Sequence, residues 1–148
     1  MNSNILKEIF TRDLNRLKIE INLYRSDAAI WRVESEIKNS AGNLCLHLVG
    51  NLNTYIGAEL GNTGYIRNRE QEFQLKDISR SELFRMVDET IIVVEKTLDN
   101  LPVSRFNENF PIVVFETKTT IGFMLVHLAA HLNYHLGQIN YHRRLLDV

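Results

Sequence analysis

The 148-residue chain has a single cysteine, Cys45, and only two prolines, Pro102 and Pro111. One cysteine cannot form a disulfide within the chain, so the sequence gives no sign of an oxidising compartment. Because both prolines fall in one short region, the rest of the chain is open to long helices. No repeat, low-complexity segment or linker divides the sequence, and we predict one domain over residues 1–148.

The chain also lacks an excess of either charge and any long apolar run. Its 17 basic and 18 acidic residues give a net charge of -1, which does not favour nucleic-acid binding, where basic side chains must neutralise phosphates. The first residues lead directly into a charged amphipathic pattern, without the apolar core of a signal peptide or a membrane span. We therefore expect a cytoplasmic protein that contacts neither membranes nor nucleic acid.

What the sequence does contain is apolar residues at the spacing of amphipathic helices. The predicted helices cover about residues 4–24, 40–59 and 79–100, and a fourth runs from residue 119 or 120 almost to the end. Gly57 and two later glycines are expected to end the second helix. Residues 79–82, Ser-Arg-Ser-Glu, match a capping box at the start of the third helix. The pattern predicts an all-α fold, a four-helix bundle.

Two connections flank the third predicted helix. Residues 61–78 are polar and charged, and we interpret them as a long connection that can travel the full height of a bundle. The second and third helices therefore need not be antiparallel neighbours. Residues 101–118 hold both prolines and the apolar run 112–115, which is typical of either a brief extended segment or a buried loop.

Three histidines, His127, His131 and His135, recur at intervals of four residues in the last predicted helix. At about 100° per residue they advance only about 40° per step, so they share one face at the edge of the core. Two imidazoles at this spacing can bind one ion together, but three span too long a distance for all of them to reach it. We expect one pair to bind a divalent metal such as zinc or nickel, with a third ligand from another helix.

His47 is the natural third ligand, because it lies in an apolar series of the second helix that must pack on neighbouring helices. The alternative is that the histidines are ordinary hydrogen-bonded residues of the core or surface, in a helical dimer that holds no ion. Burying several imidazoles without a shared partner is unfavourable, and this favours a common ion.

Two segments resemble the motifs of the DinB-like superfamily of four-helix bundle proteins. Residues 127–139 end in His131-Leu-Asn-Tyr-His135-Leu-Gly137-Gln138-Ile139, which is similar to the superfamily pattern His-x-x-x-His-x-Gly-Gln-Ile. Residues 39–52, Asn-Ser-Ala-Gly-Asn-Leu-Cys-Leu-His-Leu-Val-Gly-Asn-Leu, resemble the motif of its second helix. The two matches together cover the two helices that carry the predicted metal ligands.

The resemblance implies a metal triad of His47, His131 and His135, with His127 left outside it. It also implies an up-down-down-up helix order, a long link between the second and third helices, and a homodimer. Some members are transferases or isomerases that use the metal with a low-molecular-weight thiol (bacillithiol, mycothiol or glutathione), whereas many have no established activity. The resemblance thus suggests thiol transfer onto an electrophile. The alternative is a noncatalytic binding module in which the ion holds two helices together.

Three polar residues are weaker candidates for the site. Asn51 and Gln138 lie within one turn of predicted ligands, where they can support an imidazole or contact a small-molecule substrate. Hydrogen bonding between helices is the plainer interpretation of both. Arg67, with Arg69 beside it in the long connection, can hold an anionic ligand, although solvated charges are more usual in loops.

Three further residues are expected to have structural roles. Cys45 lies about 200° round the helix from His47, so it is expected to be a small core residue rather than a ligand. Trp31 is interpreted as a core residue, with the wall of a pocket as the alternative. His142, near the end of the last helix, is expected to be exposed or to interact with the helix dipole.

Overall fold

The computed structural model describes residues 3–148, and within them the chain is helical without a β-strand. The helices are α1 (Ser3–Asn22), α2 (Asp27–Ile30), α3 (Ala41–Leu52), α4 (Glu59–Gly61), α5 (Arg69–Gln74), α6 (Arg80–Asp99) and α7 (Ile121–Leu146). A π-helix, Asn53–Ala58, joins α3 directly to α4, so residues 41–61 form one continuous helix. This helix forms a four-helix bundle with α1, α6 and α7, and the all-α prediction is confirmed.

The order of the bundle is up-down-down-up. α1 runs antiparallel to α6 and parallel to α7, and the 41–61 helix runs parallel to α6. These directions follow from the pairs that touch, namely Thr11–Glu95 and Lys18–Asp88 for α1 with α6, Asp13–Asn133 and Glu20–Asn140 for α1 with α7, and Asn53–Thr90 and Gly61–Thr97 for the 41–61 helix with α6. This is the order that the resemblance implied, and the long connection allows the second and third bundle helices to run parallel.

The core is made by the apolar side of each bundle helix. Its fully buried members include Phe10, Leu14, Leu17, Ile21, Leu48, Leu52, Leu83, Leu98, Met124, Leu125 and Leu132. Burying each such side chain contributes about 1.5–3 kcal/mol. Trp31 belongs to this core, as predicted, and Gly42 makes room for it, since a Cβ at Gly42 would lie 2.5 Å from the indole ring.

Three of the bundle helices have a hydroxyl side chain as their N-cap. Ser40, Ser79 and Thr120 each accept a hydrogen bond from a backbone N–H in the first turn of α3, α6 and α7. The serine half of the predicted capping box at residue 79 is therefore confirmed. The carboxylate of Glu82 instead accepts two hydrogen bonds from Arg85, on the next turn of α6.

The connection between the second and third bundle helices contains a short helix, α5, that the sequence pattern did not predict. Asn43 of α3 fixes its position, because the Asn43 amide donates to the backbone oxygens of Glu72 at 2.9 Å and Leu75 at 2.8 Å. The connection is thus anchored to α3, and it places the side chain of Glu72 against the middle of that helix.

The expectation that Gly57 ends the second helix is wrong. It lies inside the π-helix, where a Cβ would stand 3.0 Å from Val93, so the glycine allows close packing on α6. The helix ends at Gly61, and Asn62 follows in the left-handed conformation with φ of 51°. The run 112–115 forms no β-strand, and it is not a buried loop, since Ile112, Val113 and Phe115 are exposed.

The expectation that His142 is exposed is wrong. Its side chain is buried, the Tyr24 hydroxyl donates to Nδ1 at 2.7 Å, and Nε2 donates to the backbone oxygen of Arg32 at 2.8 Å. Burial lowers the pKa of His142, which fits a neutral ring with one donor and one acceptor nitrogen. Among residues 3–148, no helix combines the length and apolar character needed to cross a membrane.

Candidate metal centre

Three imidazoles meet between α3 and α7. His47 comes from the second turn of α3, and His131 and His135 lie one turn apart on α7, which runs antiparallel to it. The Nε2 atom of His131 is 3.3 Å from Nε2 of His47 and 3.0 Å from Nε2 of His135. One ring nitrogen of each histidine lies within 4.8 Å of those of the other two, so the three are close enough to hold a metal ion.

Two of these imidazoles are oriented by a hydrogen bond at Nδ1. His47 Nδ1 is 3.1 Å from Glu72 Oε1, and His135 Nδ1 is 2.7 Å from Gln138 Oε1. Because both partners are acceptors, the proton of each neutral ring belongs on Nδ1. The Nε2 lone pairs of His47 and His135 are then free and point toward His131, which is the usual arrangement of metal-binding histidines and their supporting partners.

The hydrogen-bonding groups of His131 fit a metal ion better than they fit a metal-free cluster. Without an ion, its Nε2 can donate one hydrogen to only one of the two neighbouring lone pairs, and the other lone pair stays unpaired. An ion would accept all three lone pairs at once. Tetrahedral zinc with Zn–N bonds of about 2.05 Å requires N–N separations of about 3.3 Å, close to the 3.0 and 3.3 Å seen here.

The environment keeps two of the imidazoles neutral at neutral pH. Burial, followed by the neighbouring His135 and His47, lowers the pKa of His131 to about 4. Burial also lowers the pKa of His135, against the hydrogen bond to Gln138, which raises it. Neutral imidazole is the form that binds a metal ion, so protons compete weakly with an ion here.

A partly buried ion pair, Arg67 with Glu72, lies directly behind His47. Arg67 donates two hydrogen bonds of 2.8 Å to the Glu72 carboxylate, and its Nη2 is also 3.3 Å from His47 Nδ1. Burial raises the pKa of Glu72, but the hydrogen bonds from Arg67 and His47 outweigh it and leave a net lowering. The carboxylate therefore stays charged while it orients the imidazole. Arg67 thus supports His47 through the Glu72 carboxylate.

Glu72 supports His47, although no pattern in the sequence predicts this role. It reaches the site because Gly50 has no side chain: a Cβ at Gly50 would lie 2.0 Å from Glu72 Oε2 and 2.7 Å from Cδ. The signals in the sequence were weak, since one acidic residue in a polar connection and one glycine in an apolar helix have no pattern that joins them.

The other candidates take different positions around the triad. His127 is not within the ligand cluster, although its ring stacks on His131 with centroids 6.1 Å apart. Asn51 is buried one turn beyond His47, and its Oδ1 has no hydrogen-bond partner among the described residues. The Arg69 guanidinium lies over the ring of Phe73, 5.4 Å from its centroid.

Cys45 is buried in the core, and burial raises the pKa of its thiol to about 12. The thiol is therefore protonated at neutral pH and is a poor metal ligand. It also lies outside the cluster of ring nitrogens. This agrees with its predicted role as a small core residue.

Comparison with known proteins gives a family and a fold. A crystal structure described as that of a conserved protein of a locus from Enterococcus faecalis superposes with a TM-score of 0.79 at 15% identity, over 99% of this chain and 98% of that one. At that identity the likeness concerns the fold alone. No match was found among curated proteins. The family model described as "Protein of unknown function (DUF1572)" matches residues 7–147, nearly the whole chain, and the chain therefore belongs to the DUF1572 family.

Proposed function

We propose that this protein binds one divalent metal ion, zinc or nickel, through the Nε2 atoms of His47, His131 and His135. The observation that carries the proposal is the convergence of the three Nε2 atoms, two of them on rings whose Nδ1 is held by a fixed acceptor. Borderline divalent metals favour neutral imidazole, and three nitrogen ligands leave a fourth position for water or substrate. Open positions of this kind are typical of catalytic rather than purely structural sites.

The protein's own residues prepare the ligands. Glu72 holds the proton on Nδ1 of His47, Arg67 fixes the Glu72 carboxylate, and Gln138 holds the proton on Nδ1 of His135. Such partners set the tautomer and direction of each imidazole, and losing one typically weakens metal binding about 10–100-fold.

We further propose that the site serves transfer of a low-molecular-weight thiol onto an electrophile. When bound, the ion would lower the pKa of a thiol or water at its open position. A thiolate or hydroxide nucleophile would then be available at neutral pH. In the transfer, a bond forms between the sulfur and the electrophilic carbon. The leaving group takes its bonding electrons, and the thiol proton passes to solvent. Support for a thiol comes from the resemblance of residues 39–52 and 127–139 to the DinB-like motifs.

Metal content is the test of the proposal. Untagged protein, incubated with zinc or nickel and freed of excess, is expected to contain about one ion per chain by elemental analysis. His131→Ala is expected to contain almost none, whereas His127→Ala, which changes the neighbouring turn of the same helix, should keep its ion. Wild-type protein that stays metal-free, or a full complement in His131→Ala, would contradict the proposal.

Turnover separates a catalytic centre from a noncatalytic one. Metal-loaded protein is assayed with bacillithiol, mycothiol or glutathione and a chromogenic electrophile, with the metal-loaded His127→Ala variant and the metal-free His131→Ala variant beside it. Metal-dependent transfer supports the enzyme. If metal-loaded protein gives no transfer with any of these thiols, the thiol-transfer proposal is wrong. The result would favour a noncatalytic role, in which the ion holds α3 and α7 together.

We also propose that the chain forms a homodimer through the outer face of α7, defined by Phe123, Val126, Ala130 and Tyr134. All four are exposed and lie within about 80° of one another around the helix. A row of exposed apolar side chains on one helix is typical of an interface between copies. Sedimentation equilibrium is expected to give twice the 17.2 kDa chain mass for the wild type.

A charge within this face is expected to produce monomers. Val126→Glu should sediment as a monomer, because a buried unpaired carboxylate is unfavourable in an interface. The matched control is Ile92→Glu, which replaces an exposed apolar residue of α6 and should leave the dimer intact. A monomeric wild type, or dimers in Val126→Glu, would contradict this interface.

A further inference from the structure

A cleft of about 430 Å³ lies beside the histidine triad, between the 36–39 loop, the start of α3 and the C-terminal half of α7. Leu44 on one wall is three residues before His47, and Gln138 on the other is three residues after His135. Each wall therefore lies about one helical turn from a triad histidine. The volume is within the range of small-molecule sites, about 300–1,000 Å³.

Three lining side chains offer N–H donors. The Oε1 atom of Gln138 is held by His135 at 2.7 Å, which fixes the amide plane and leaves the Nε2 hydrogens without a partner among residues 3–148. The Asn39 amide lines the cleft and likewise has no hydrogen bond to the described residues. Lys38 donates one hydrogen bond of 2.8 Å to the Ser35 backbone oxygen, which leaves two hydrogens of its ammonium group.

Two oppositely charged side chains line the cleft, and the Lys38 side chain is the less exposed of the two, at 70%. Glu36 is the carboxylate among the lining residues, but its side chain is 93% exposed and stands 3.9 Å from the Lys38 ammonium. The Arg144 guanidinium lies 5.4 Å from the ring centroid of Tyr141, another lining residue. Both ring nitrogens of His142 are already hydrogen-bonded, so this buried histidine adds no charge.

The rest of the cleft is apolar. Leu44 is buried at its base, and the exposed side chains of Tyr141 and Leu145 line it along α7. N–H donors at one part of a cleft and apolar side chains at another suit a ligand with a hydrophobic body and an acidic group.

We propose that this cleft binds a small organic carboxylate. The carboxylate accepts hydrogen bonds from Gln138, Asn39 and Lys38, while the apolar part packs on Leu44, Tyr141 and Leu145. The role of this ligand as a substrate of the neighbouring ion rests on the proposed metal centre, but the binding itself needs only the cleft. Gln138 connects the two, because the same amide supports His135 and faces the cleft.

The test is a titration of zinc-loaded protein with 4-phenylbutyrate and, separately, its uncharged amide, followed by the backbone amide signals in NMR. The acid is expected to bind in the millimolar range usual for a ligand of this size, and to shift the signals of residues 36–39 and 138–145. Lys38→Glu should weaken binding of the acid about tenfold or more, through loss of a charged donor and new repulsion. It should change binding of the amide little.

The matched control is Lys118→Glu, the same charge reversal at an exposed lysine before the opposite end of α7. It should leave the affinity for the acid unchanged. No binding of the acid, shifts confined to other surfaces, equal affinity for acid and amide, or equal weakening by both charge reversals would each overturn the proposal.

Repeating the titration with His131→Ala separates this site from the metal centre. Binding at residues 36–39 and 138–145 in a variant that holds no ion supports the cleft independently of the metal. If instead the wild type never takes up a metal yet binds the acid, the metal proposal fails and the cleft site stands. If the metal is bound and the acid is not, the cleft proposal fails alone.

Discussion

Zinc at 100 times its dissociation constant is expected to raise the melting temperature of the wild-type protein by about 5–10 °C and that of His47→Ala hardly at all. Binding to the folded state alone contributes about 2.7 kcal/mol at that concentration. Each kcal/mol shifts the melting temperature of a domain of this size by about 2–4 °C. Because His47 is the ligand from α3 and the other two are on α7, the variant also loses the link between the two helices.

The quantity to compare is the zinc-induced shift in melting temperature within each variant, because removing His47 also changes the stability of the metal-free protein. Its loss leaves Glu72 paired with Arg67 alone. His127→Ala is the control, because it removes a histidine of α7, next to His131, that lies outside the ligand cluster. Its shift should match that of the wild type. Equal shifts in His47→Ala and the wild type would place the zinc at another site.

The sequence predicted the bundle because each of the four long helices has its own apolar side. It also placed His131 and His135 correctly relative to each other, since residues four apart in a helix must share a face. Neither argument needed knowledge of distant contacts. That His47 meets them depends on the packing of α3 against α7. The apolar pattern indicated only that His47 faces neighbouring helices, whereas the structure places its Nε2 atom 3.3 Å from Nε2 of His131.

The features that the sequence did not predict depend on segments without helical periodicity or on contacts between residues far apart in the chain. α5 is short, and it is held by hydrogen bonds from Asn43 to backbone oxygens rather than by an apolar side. Glu72 therefore gave no sign that it lies behind His47. The burial of His142 has a similar origin, because its partners are Tyr24 and the backbone of Arg32, more than a hundred residues away in sequence.

Gly50→Ala is expected to destabilise the protein by up to about 2 kcal/mol and to weaken metal binding about 10–100-fold. Glycine to alanine within a helix normally stabilises by about 0.5–1 kcal/mol, so the sign is the informative part. The new Cβ would lie 2.0 Å from Glu72 Oε2, so the carboxylate must move. Overpacking of this kind typically costs about 1–3 kcal/mol, and displacing Glu72 also leaves His47 without the acceptor that orients it.

The matched control is Gly137→Ala, because Gly137 is also inside a bundle helix but a Cβ there meets nothing within 4 Å. This variant should be stabilised by about 0.5–1 kcal/mol and keep its metal affinity. Urea unfolding of metal-free protein and competition for zinc with a chelator of known affinity measure the two effects. If Gly50→Ala behaves like Gly137→Ala in both, Glu72 is free to leave the site and does not orient His47. Opposite signs for the two alanines would instead establish that the missing side chain at residue 50 is what admits the carboxylate to the metal centre.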